Sequence, residues 1–156
     1  MTDGTMEDNQ SGAKKKVARV LIITIDTNCI NAKQEIKELN QLEEFAEKGQ
    51  VQIVKTDVLD TEFIKYEGKK GEKSKVKAAE IPEDIGIGVL AHSRLDHTKL
   101  ASEEEAKQFN EIVELLFDKP LYKLTNHSRL VRDAMHLHTH LIHQRDIFVS
   151  TDYTHI

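Results

Sequence analysis

The chain has 156 residues, 31% of them charged and 38% hydrophobic, with a formal net charge of −5. That length suits a single domain burying about two-thirds of its unfolded surface, so neither a disulfide nor a structural metal is needed for a core. The acidic balance excludes indiscriminate nucleic-acid binding by the whole surface, while the lone cysteine, Cys29, has no intrachain partner, which suits a reducing cytosol.

Residues 1–16 are acidic, then Gly- and Lys-containing, and are expected to be a disordered leader, neither signal peptide nor anchor. Residues 17–156 are expected to form the domain. Val17 to Ile25, the longest apolar run, is too short to cross a membrane. Its β-branched character predicts a strand covered on both faces and ending at Asp26. Asn31 is expected to cap a helix from Ala32 to Lys48, which frees Asp26 for another task. Ile36, Leu39, Leu42, Phe45 and Ala46 form the apolar face of that helix, and Gly49 stops it. "VQIVK" (51–55) alternates as a second strand, after which Thr56 or Asp57 caps a helix carrying Val58, Leu59, Phe63 and Ile64.

Residues 65–101 read as an insertion, Lys- and Gly-rich and exposed at its start. Pro82 breaks what precedes it, and "IGIGVLAH" (85–92) fits a strand or a buried loop. Ser102 and Glu105 make the S-x-x-E capping box of a helix with Ala106, Phe109, Val113 and Leu116 on one face, running to Phe117 before Pro120. Ser128 caps the next helix, whose stripe is Val131, Ala134, Leu137 and Leu141. "IFVS" (147–150) is the last strand. Strands alternating with helices predict an α/β fold with a largely parallel central sheet.

In such a sheet, helices begin at the edge where strands finish, which is also the usual ligand edge. Asp26 leaves the first strand there, and Glu62 and Asp133 lie in early turns of helices that start there. Asp152 closes the last strand. Connectivity alone therefore gathers four acids on one rim. Two carboxylates about 4 Å apart repel by about 4 kcal/mol at an effective dielectric near 20, so such a cluster shares protons or binds a cation. Oxygen ligands favour Mg²⁺ or Mn²⁺ over zinc, and a divalent ion so held activates water against a phosphodiester.

The same residues carry a family resemblance. "VLIITIDTNCIN" resembles the opening strand and first acid of PIN-domain nucleases, "TDVLDTEF" (56–63) their second motif, and "RDAMHLHTHLIHQRDIFVSTD" (132–152) their third and fourth acids. The resemblance implies a three-layer α/β/α sandwich and Mg²⁺- or Mn²⁺-dependent endoribonuclease activity on single-stranded RNA. Asp26, Glu62, Asp133 and Asp152 would hold the metal, and Asn28 and Thr151 would orient carboxylates or water. It covers both ends of the folded part and leaves about 66–101 unmatched. PIN domains generally continue past the fourth acid, so either the sheet lacks an edge strand or the chain is a shortened form. Many compact PIN nucleases are toxins restrained by an antitoxin-like protein, others serve RNA maturation, and a homodimer is compatible with either. A PIN-like module that binds RNA or protein without cutting is the alternative.

Asp60 competes with Glu62 for the second acidic slot; two apart on a helix, the pair point about 200° apart, and Phe63 favours Glu62. Lys69, Lys70 and Lys73 either guide a phosphate backbone or belong to a solvated loop. His136, His138, His140 and His143 crowd one helix and are expected to be surface or half-buried, with His136, one turn beyond Asp133, the one able to approach the cleft. Cys29 is expected to be a packed thiol rather than a nucleophile.

Overall fold

The computed structural model describes residues 19–63, 68–90, 92–93, 98–124 and 128–152; residues 1–16, expected to be a leader, lie outside them. Four strands, β1 (Leu21–Ile25), β2 (Val51–Thr56), β3 (Glu83–Asp84) and β4 (Ile147–Val149), form an all-parallel sheet in the order β3-β2-β1-β4. Helix α1 (Lys37–Glu47) joins β1 to β2, while α2 (Val58–Phe63) and α3 (Gly68–Ala79) join β2 to β3. Helices α4 (Glu103–Phe117) and α5 (Ser128–Ile142) lead back to β4. The chain runs outward from β1 to β3 and then returns to the other side of β1. The strand order therefore reverses at β1, which makes its C-terminal end the crevice of the sheet.

Side-chain alternation along the strands separates two cores. Ile23 and Ile25 pack with Cys29 and Leu39, against Ile36, Leu42, Val51 and Ile53, on the α1 face. The other principal core joins Phe109 and Val113 of α4 to Val131, Ala134 and Met135 of α5, with Val58, Ile87 and Leu124. The result is a three-layer α/β/α sandwich. On the α5 face the sheet presents Thr24 and Thr56, both fully buried. They meet His140 and His136: Thr24 Oγ1 lies 2.9 Å from His140 Nδ1, and Thr56 Oγ1 lies 2.5 Å from His136 Nδ1.

That polar seam corrects the expectation for α5. His136, His138 and His140 are buried at 1%, 1% and 7% exposure, while Leu141, assigned to the core stripe, is 52% exposed. Threonines on the sheet supply partners for two of the imidazoles, which offsets their desolvation. Helix α1 also starts later than Ala32. The Asn31 side chain accepts from Ile36 N, donates to Ile36 O and reaches Asn40, so 31–36 are held as an irregular turn. Gly49, at φ +67°, closes α1 as expected, with Gly49 N donating to Ala46 O and Gln50 N to Phe45 O.

Part of the expected Lys-rich loop is helix α3. Ala78 joins Leu59 and Phe63 in a small apolar cluster, and Lys77 donates to Glu43 and to Asn31 O, so packing stabilises a segment whose composition reads as loop. The capping box of α4 is present in both directions, Ser102 Oγ accepting from Glu105 N and Glu105 accepting from Ser102 N. "IGIGVLAH" contributes only an isolated bridge, Ile87 to Lys99, among the described residues. None of the described helices is long and apolar enough to cross a membrane.

Candidate metal centre

The turn after β1 explains the Asp-Thr-Asn sequence. Asp26 caps the 3-10 turn Thr27–Cys29, its Oδ1 accepting from Thr27 N at 2.7 Å. Asp26 is thus a capping residue as well as a rim residue, and Asn31 does not relieve it of that role. Its other oxygen accepts from Ser150 Oγ at 2.8 Å and from Asn28 Nδ2 at 3.5 Å. The carboxylate is held on both sides by elements that meet at the sheet edge.

Helix α2 directs Glu62 towards Asp26 and turns Asp60 away, onto Lys55 at 2.8 Å. Glu62 therefore takes the inward position of the pair. Thr27 Oγ1 donates to Glu62 Oε2, and Arg132 Nε donates to Oε1 at 3.1 Å. Burial alone would raise the Glu62 carboxyl. His136 beside it, with Thr27 and Arg132, outweighs burial and holds it at about 2.

From α5, His136 Nε2 comes within 3.5 Å of Glu62 Oε2 and 3.7 Å of Asp26 Oδ1. One donor atom from each of Asp26, Glu62 and His136 lies within 4.8 Å of the other two, a spacing that can hold a metal ion. The converging set is thus two acids and an imidazole rather than four acids. His136 was legible in the sequence only as one turn beyond Asp133. The sharper signal, a threonine on β2 to fix its ring, needs the tertiary pairing of β2 with α5.

Asp133 and Asp152 line the same cavity, of about 210 Å³, together with Asp26, His136, Ser150 and an apolar wall of Leu116, Phe117, Leu137 and Phe148. The Asp133 carboxyl is pushed up by burial and then by the charges of Asp26 and Glu62. Asp152 is paired with Arg129. Among the described residues, neither Asp26 nor Asp133 forms an ion pair with a lysine or arginine, so negative charge at the rim is only partly answered.

The remaining candidates fall elsewhere. Asn28 is exposed, at the edge of hydrogen-bonding range from Asp26. Thr151 is half-buried beside Cys29. Cys29 itself is 2% exposed, with Sγ 3.3 Å from Val149 O, and burial followed by the Asp26 charge pushes its thiol up to about 11, as expected of a packed thiol. Lys73 is exposed on α3, and the side chains of Lys69 and Lys70 fall outside the described residues.

The chain matches no protein-family model, no curated protein and no solved structure.

Proposed function

We propose that this chain is a PIN-like, metal-dependent endoribonuclease acting on single-stranded RNA, with the cytosol as its compartment. The observation that carries the reading is the convergence of Asp26, Glu62 and His136 beside Asp133 and Asp152, at the strand-order reversal of a parallel sheet. The buried His136 Nε2 has no hydrogen-bond partner and faces two carboxylates, so the residues fit a divalent cation such as Mn²⁺, while Mg²⁺ is the ion that the acids alone would favour. Such an ion supplies an activated water and positive charge for a phosphodiester.

The chain's own residues do the rest. Thr27 and Ser150 orient Asp26 and Glu62 by hydrogen bonds, and Arg132 fixes the second oxygen of Glu62. Leu116, Phe117 and Phe148 give the cavity an apolar side on which unstacked bases can pack, next to the rim that would receive the phosphate. A non-cutting module that binds RNA or a protein partner is the second reading. Arg132 on Glu62 and Arg129 on Asp152 favour it, because they neutralise two of the acids from within.

Titration of Mg²⁺ and Mn²⁺ against a labelled single-stranded RNA separates the two. Cleavage abolished by Asp26→Asn supports the nuclease; binding without cleavage at any metal concentration selects the module.

A further inference from the structure

We infer that His136 Nε2 is a direct nitrogen ligand, and that with Asp26 and Glu62 it makes this a site for first-row transition ions, taking Mn²⁺, and Zn²⁺ more tightly still, ahead of Mg²⁺. The inference rests on the metal-site part of the reading above and extends it from the presence of an ion to its chemical class. The sequence's four acids point to an oxygen-only set and hence to a hard ion. The structure brings an imidazole to the same point.

Several observations converge on that nitrogen. His136 is 1% exposed, and its Nε2 is buried without a hydrogen-bond partner, although buried ring nitrogens ordinarily have one. The opposite nitrogen, Nδ1, lies 2.5 Å from Thr56 Oγ1 on β2. The Thr56 contact occupies Nδ1, which leaves Nε2 as the ring atom turned to the two carboxylates. This is the arrangement in which an outer hydrogen bond fixes the tautomer and ring orientation of a metal-binding histidine. The gaps from Nε2 of 3.5 Å to Glu62 and 3.7 Å to Asp26 are too long for good hydrogen bonds and suit donors that share an ion. Asp26 and Glu62 are themselves held by Thr27, Ser150 and Arg132, so all three donors have fixed supports.

The discrimination follows from ligand chemistry. Mg²⁺ takes oxygen donors and dehydrates reluctantly, so a buried imidazole adds little to its binding. Imidazole suits first-row transition ions, whose affinity for a mixed nitrogen and oxygen site rises from Mn²⁺ towards the later metals, with Zn²⁺ above Mn²⁺. Arg132 bonded to Glu62 lowers the negative charge at the site, which further disfavours an ion held by charge alone.

The test uses the 156-residue chain without RNA. Isothermal titration with Mn²⁺ and with Mg²⁺ is expected to show Mn²⁺ binding at least about tenfold tighter, with Zn²⁺ displacing it. His136→Gln is expected to collapse the Mn²⁺/Mg²⁺ ratio to about threefold or less, because Mg²⁺ loses little. Thr56→Val, which keeps the imidazole and removes its support, is expected to weaken Mn²⁺ about tenfold. Pulsed electron paramagnetic resonance of the Mn²⁺-loaded native chain is expected to show coupling to ¹⁴N, a readout that holds even where His136→Gln does not fold.

Mn²⁺ bound without ¹⁴N coupling overturns the inference, as does a ratio unchanged by His136→Gln. So does an absence of Mn²⁺ binding, which would leave His136 a counter-ion to the two acids. RNA cleavage is read separately. Nitrogen-coupled Mn²⁺ without cleavage sinks the nuclease reading alone, whereas cleavage without nitrogen coupling sinks this inference alone.

Discussion

Replacing Glu62 by Gln removes a negative charge that the folded chain stabilises more than the unfolded chain does. The folded carboxyl is held at about 2, against an ordinary value of 4.5, and its side chain is 17% exposed. At 1.36 kcal/mol per pK unit, that gap is worth at most roughly 3 kcal/mol. Because the folded value is depressed, this stability is fully present above 4.5 and is lost as pH falls towards about 2. Between about pH 6 and about pH 3 the unfolded chain takes up the proton while the folded chain still resists it, so roughly 2 kcal/mol of the total is lost in that interval. Urea unfolding of the native chain and Glu62→Gln, both in chelator, measures the difference. The native chain is expected to lose roughly 2 kcal/mol more than the variant between the two pH values. Equal losses in the two proteins would refute the claim that His136, Thr27 and Arg132 stabilise the Glu62 charge.

Gly86→Ala is expected to destabilise by about 1–3 kcal/mol in the same urea assay, because the added Cβ would overlap Thr139 Oγ1 and stand 3.1 Å from Asp57 Oδ1. Ser102→Ala is expected to cost about 1 kcal/mol through loss of one half of the α4 capping box, a change seen as a lowered melting temperature with unchanged metal binding. Cys29 is expected to resist maleimide at neutral pH in the folded chain and to react promptly in denaturant, since it is 2% exposed and its thiol is pushed up to about 11. Rapid labelling of the folded protein would contradict its packing beneath β4.

Much of the architecture can be read along the chain. The apolar run into Asp26, the alternation of "VQIVK", the stop at Gly49 and the Ser102–Glu105 box each depend on neighbours within a few residues, and each has its counterpart in the structure. Helix α3 does not read this way. Its lysines and glycines signal a loop, and contacts from other elements, the seat that Leu59 and Phe63 offer to Ala78 and the bonds of Lys77 to Glu43 and Asn31 O, stabilise it as a helix. The start of α1 is displaced for a similar reason, by the side-chain bonds of Asn31 to Ile36 and Asn40.

For the site, the chain order already shows that acids finish strands or begin helices on one edge of a parallel sheet, because that follows from connectivity. Tertiary structure alone decided which donors converge. Glu62 turns in because Lys55 draws Asp60 away, and His136 is buried at the acids because Thr56, 80 residues earlier, meets its ring at the sheet face. Burial of a histidine depends on a partner supplied from another element, and helical periodicity carries no record of that partner.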